Sequence, residues 1–189
     1  MRAGLSLIDS LLALGTLSDL PRTGWIQRGV RDPETVGAHV LSTCFLVLAL
    51  GPRVAPRLDV ERAIALALVH DAPEALLGDL PRTAARLLPA GAKAAAEDRA
   101  ARELLEPLSE GALRLWDEIR AGGTREARFV KLVDRLQLGV ELVALHRAGR
   151  RGLEEFAETV LGLDCAEFEP VASLRAEILG ALGQDGARA

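Results

Sequence analysis

Apolar residues along this 189-residue chain recur every three or four positions rather than every second one. That is the period of a helix with one buried face, and no run alternates as a half-buried strand would. Leucine, alanine, glutamate and arginine, all good helix formers, dominate the sequence. The chain is therefore expected to be all-α. A chain of this length can bury roughly 70% of its unfolded surface in one core, so a single domain over residues 1–189 is expected, stable without disulfides or metals.

Punctuation divides the helices. A first helix over Leu5 to Leu14 closes at Gly15, and a Pro-containing loop follows over Ser18 to Gly24. Asp32-Pro33-Glu34 has the form of a helix start, an acceptor followed by proline and an acid, and predicts a helix running to Leu50. Its second half is apolar on every side, which places it at the centre of a bundle. Asp59 caps a third helix that runs into His70-Asp71, and a short turn from Pro73 to Leu77 ends at Gly78. After a connection from Pro81 to Pro89, helices are expected near Ala94 to Leu105, Ala112 to Arg120, Thr124 to His146 and Leu153 to Leu161. A final one begins at Pro170. No repeat or long linker divides the chain.

Composition excludes several classes. Aromatic residues make up 3%, tyrosine is absent, and the formal charge is −4. Base stacking and a basic field are both missing, so a nucleic acid polymer is not an expected partner. Cys44 and Cys165 have no spacing that suggests a disulfide frame, which fits a reducing cytoplasm. The opening Met1-Arg2-Ala3-Gly4 and the apolar stretch broken by Asp9 lack a cleavage pattern, so no signal peptide is expected. The apolar run from Val40 to Leu50 is too short to cross a bilayer, and no membrane association is expected.

Three histidines, His39, His70 and His146, nearly enumerate any imidazole site. Each neighbouring candidate has an ordinary structural account taken alone. His39 could bond a carbonyl inside the bundle, Asp71 could cap the Pro73 turn, and Asp134 could pair with Lys131 on the preceding turn. Together they put two imidazoles and two carboxylates on three helices in apolar surroundings, where unpaired acids are costly. A divalent cation with open positions for water would satisfy all four. His70 and Asp71 diverge by roughly 100° around a helix axis, so both reach one ion only at a helix end. His146, near the end of the long helix, is read as a surface residue or a partner of the helix dipole.

The ordered set His39, His70-Asp71 and Asp134 resembles the HD-domain metal-dependent phosphohydrolases, and most closely their 5'-deoxynucleotidase subfamily. The matching segments are Arg22-Thr23-Gly24-Trp25, Pro33-Glu34-Thr35-Val36-Gly37-Ala38-His39, His70-Asp71-Ala72-Pro73-Glu74 with Gly78-Asp79-Leu80, and the stretch from Glu126 to Asp134. The resemblance implies an HD-type helical bundle with a central buried metal site. Its metal-binding core would span about residues 20–140, with residues 150–183 packing or dimerising. It also implies a homodimer, with the apolar later helices as interface. One departure stands out: Ala38 occupies a position that is usually acidic in the subfamily. An acid there could orient the histidine, since groups behind the ligands tune them.

The resemblance implies one divalent transition metal ion (Mn, Co, Fe, Ni or Zn) held by His39, His70, Asp71 and Asp134, because too few histidines remain for a second. It implies hydrolysis of the 5'-phosphate of (deoxy)ribonucleoside monophosphates, with Glu74 as catalytic acid or base and Asp79 as its partner. Arg22 is the expected phosphate clamp, since its planar fork can engage two oxygens. Arg28 and Lys131 come next, and Trp25 is expected to wall the sugar or base. Two alternatives remain at this level: another phosphoester as substrate, such as a cyclic nucleotide or a phosphorylated metabolite, or a non-catalytic helical dimerisation module stabilised by its metal.

Overall fold

The computed structural model describes residues 4–184. Among them lie eleven α-helices and no strand, with an isolated antiparallel bridge between Pro21 and Thr35. Met1 to Ala3, read above for a leader sequence, lie outside the described residues. The helices are α1 Leu7–Gly15, α2 Thr23–Ile26, α3 Val36–Leu50, α4 Val60–Val69, α5 Glu74–Leu77, α6 Arg82–Ala85, α7 Ala92–Leu105, α8 Glu110–Ala121, α9 Arg125–Arg147, α10 Glu154–Leu161 and α11 Glu169–Gln184.

Local chemistry sets most of these boundaries. Ser6 and Asp9 form a reciprocal capping box at the start of α1. Asp59 accepts the Arg62 N–H at 3.0 Å to open α4, and Thr124 accepts the Ala127 N–H at 3.2 Å to open α9. The long apolar helix starts later than Asp32-Pro33-Glu34 suggests. Thr35 is its cap, accepting the Ala38 N–H on its hydroxyl at 3.1 Å. The cause is a pairing with the earlier loop: the Arg22 N–H donates to Glu34 O and the Val36 N–H to Leu20 O, which keeps residues 33–35 out of the helix. Gly37 permits that pairing, because a Cβ there would stand 3.0 Å from Leu17 O and 3.1 Å from Ser18 Cα.

Two compact units are distinguished by their internal contacts, residues 4–41 with Leu68–Ala121, and Ser42–Ala67 with residues 122–184. In the first, α1 packs on α5 and α7, and α7 on α8. Trp25, Val36, Leu104, Leu105 and Trp116 are buried there. Asp98 on α7 ties α8 down, accepting the Trp116 indole N–H at 3.2 Å and pairing with Arg120 at 2.6 Å and Arg102 at 3.2 Å. In the second unit α10 and α11 both lie on α9. Gly139 is the contact point, since a Cβ on it would stand 3.0 Å from Ile178 Cγ2 and 3.1 Å from Val160 Cγ2. Phe129 and Phe168 meet edge to face at 5.2 Å. The closing helices are thus packing elements of this unit.

Exposed apolar surface is richer on the earlier helices than on those later ones. Among the described residues it is concentrated on α1 (Leu7, Ile8, Leu11, Leu12) and α3 (Leu41, Phe45, Leu48), whereas Val140 and Leu161 are its large side chains on α9 and α10. Counted with the 3-10 turn after it, α3 gives an 18-residue helical stretch, Val36–Arg53, apolar enough by composition to cross a membrane. That corrects the shorter apolar run read from the sequence. Val36, His39, Thr43, Val47 and Leu50 are buried along one face of it, while Leu41, Phe45 and Leu48 are exposed, so the helix is half-covered and does not lie at the centre of the bundle as its apolar second half suggests.

Candidate active site

The first unit brings His39, His70 and Asp71 together. His39 is held on the first turns of α3, fully buried. Helix α4 stops at Val69, so His70 and Asp71 stand in the turn beyond it, where adjacent side chains are free to converge. The turn is closed by the Ala72 N–H to Val69 O and the Glu74 N–H to Asp71 O. One donor atom from each of the three residues lies within 4.8 Å of the others. Asp71 Oδ2 is 3.2 Å from His70 Nε2 and 3.5 Å from His39 Nε2, and the two rings tilt by 58° with centroids 5.5 Å apart.

Arg22 reaches the same carboxylate oxygen at 3.5 Å. It stands at the N-terminus of α2, and that short helix is anchored by Asp79. The Thr23 N–H donates to Asp79 Oδ2 and the Thr23 hydroxyl to Asp79 O at 2.9 Å. Gly78, at φ +74°, ends α5 and turns the chain so that Asp79 faces this loop. Asp79 therefore engages the Arg22 loop directly, and its charge also acts on Glu74.

Glu74 opens α5, with one carboxyl oxygen buried and without a hydrogen-bond partner. Burial foremost, then the charges of Asp71 and Asp79, push its pKa up to about 9, while Arg22 and His70 act in the opposite sense. A carboxyl held protonated beside an imidazole-carboxylate cluster can hand a proton to a leaving oxygen.

The remaining expected residues are placed as follows. Trp25 is only 1% exposed, and its indole N–H donates to Glu34 Oε1 at 3.3 Å. It braces the Arg22 loop from below. Arg28 is exposed on the turn after α2. Asp134 and Lys131 belong to α9 of the second unit, the former half-buried and the latter exposed. Partial desolvation of its ammonium by neighbouring protein, with the charge of Arg135, draws the Lys131 pKa down. Ala38 is exposed one position before His39. His146 lies in the last turn of α9. Thr23 and Glu34 order the site without having been singled out from the sequence. Glu34 reads there as a first-turn helix acid, and its partner Trp25 lies nine positions earlier with no spacing rule to connect them.

Residues 14–170 match the model of the HD domain family. The chain belongs to the HD domain family. All ten expected site residues fall within the matched segment of this HD domain. It is 30% identical over 165 residues to the 5'-deoxynucleotidase HDDC2 of Homo sapiens, covering 83% of this chain and 78% of that protein. It is 34% identical over 140 residues to the Mus musculus protein of the same name, covering 72% and 68%. Among solved structures, a conserved hypothetical protein from Pyrococcus furiosus superposes on it with a TM-score of 0.77 at 29% identity, covering 90% of this chain and 98% of that one.

The donor set of this HD domain fits a divalent metal ion. Two imidazoles and a carboxylate suit a borderline cation, and the three leave coordination positions over for water and substrate.

Proposed function

We propose that this chain is a metal-dependent phosphohydrolase that removes the 5'-phosphate of (deoxy)ribonucleoside monophosphates, giving nucleoside and inorganic phosphate. The observation that carries the reading is the convergence of His39, His70 and Asp71 within 4.8 Å, with Arg22 3.5 Å from Asp71. The 5'-deoxynucleotidases to which the chain is similar support the choice of substrate.

His39, His70 and Asp71 would hold one divalent transition metal ion. Asp134, by its place in the ordered sequence motif, would be the fourth ligand. When bound, the ion supplies Lewis-acid neutralisation of phosphoryl charge and activation of water. Arg22 grips phosphoryl oxygens with its fork, held in place by the Asp79 to Thr23 clamp. Glu74, aimed by the first turn of α5, gives its proton to the leaving 5'-oxygen as the phosphorus–oxygen bond breaks, and regains one from the attacking water. A homodimer, expected from the resemblance, belongs to the same reading and is checked by the molar mass in solution.

Phosphate release from a panel of nucleoside monophosphates tests the reading, using protein loaded with Mn or Co. Wild type should hydrolyse 5'-monophosphates, and Asp71→Ala should not. Protein that holds metal yet releases phosphate from no monophosphate would overturn it.

A further inference from the structure

Beside Glu74, within the first unit, is a cavity of about 210 Å³ that none of the roles above uses. Its walls are Leu77 at the end of α5, Leu80 after the Gly78 turn, Leu88, and Ala96 on α7. Two of these apolar side chains are left 44% (Leu77) and 42% (Leu88) exposed, so the cavity is open and its lining is not covered by the chain. Also in its lining, Lys93 and Glu97 pair at 3.1 Å and offer one donor and one acceptor. Glu74 itself forms part of the wall, so the proposed proton donor also lines the cavity.

Resting on the phosphohydrolase reading, we infer that this cavity is the subsite for the nucleobase of the substrate. A leaving oxygen served by Glu74 fixes where the rest of the leaving group begins. Because Glu74 also lines the cavity, this is an apolar space adjoining the acid, and a flat heterocycle has an apolar face for the leucines and a polar edge for Lys93 and Glu97. The volume lies below the 300–1,000 Å³ of pockets for drug-sized ligands, which suits one base. Leu88, Ala96 and Lys93 are then residues that set specificity, acting on binding of the base and not on the bond that breaks.

The test compares two substrates with the same phosphate and sugar, a deoxyribonucleoside 5'-monophosphate and 2-deoxyribose 5-phosphate, which has no base. Ala96 is exposed, so Ala96→Trp fills the cavity without disturbing the core, and Leu88→Gln makes its wall polar. Melting curves confirm that both variants fold. Each should raise KM for the nucleotide by about tenfold, the scale of a few lost apolar contacts in a binding pocket. Neither should change KM or kcat for 2-deoxyribose 5-phosphate. An unchanged nucleotide KM, or an equal loss on both substrates, overturns the subsite while leaving the hydrolase reading intact. Wild-type protein that hydrolyses neither substrate overturns both.

Discussion

Three cationic or potentially cationic groups crowd one oxygen of Asp71: His70 at 3.2 Å, and His39 and Arg22 at 3.5 Å. This carboxylate joins the ligand cluster to the phosphate clamp, and its removal affects both. Asp71→Ala and His70→Ala should therefore lose metal and hydrolysis together, read by metal content after desalting and by phosphate release. Glu74→Gln should separate the two. The amide keeps the shape of α5 but has no proton to give, so metal content stays near wild type while kcat falls by about 10² to 10⁴, the usual contribution of a positioned acid or base. Retention of full turnover by Glu74→Gln would remove the acid role. Arg22→Ala should act mainly on KM if the guanidinium grips ground state and transition state alike. A fall in kcat at constant KM would mean that it serves the transition state alone.

Helix ends account for much of what the sequence made legible and for what it hid. Asp59 and Thr124 could be read as caps because each precedes an apolar period and bonds its own helix. The start of α3 was misplaced because Asp32-Pro33-Glu34 carries the same local signal, while the pairing of Arg22 with Glu34 and of Val36 with Leu20 is set by a segment elsewhere in the chain. Helices α2 and α6, four residues each, leave too little periodicity to read. The His70-Asp71 turn was legible because side chains 100° apart can converge only where a helix stops. Gly37→Ala should test the misread start. Its methyl would meet the Leu17 carbonyl, so the Arg22 loop must move, and loss of nucleotide affinity should exceed loss of helix content by circular dichroism. At α7 and α8 the Asp98 carboxyl is held below its ordinary 3.8, first by the Trp116 N–H and then by Arg102. A carboxylate with a lowered folded pKa stabilises above its unfolded value and loses that contribution as pH falls through the folded one. The urea midpoint of wild type should therefore drop as pH falls below about 4, and Asp98→Asn should flatten that part of the curve. An identical pH profile for the variant would place the acid sensitivity in other carboxylates.

For the molecule as a whole, metal binding and folding should be linked. The ligands come from α3 and from the turn after α4, segments that meet in the folded chain and are dispersed in the unfolded one. An ion that binds only the folded form stabilises it by about 2.7 kcal/mol when present at a hundred times its Kd. In a chain of this size that amounts to a rise in Tm of about 5–10 °C. The core should not depend on the ion for its existence, since the leucines and aromatics buried in both units contribute through apolar burial and not through the ligand cluster. Chelation should thus lower Tm by that amount and leave a cooperative transition. His39→Ala separates linkage from unspecific effects of the chelator, because a protein without the ligand has no bound ion to lose. Its Tm should be the same with and without chelator, and close to that of chelated wild type after allowance for the cavity left by the imidazole. A chelator-dependent shift in His39→Ala as large as in wild type would locate the stabilising ion away from His39, His70 and Asp71, and the hydrolase reading would lose its centre.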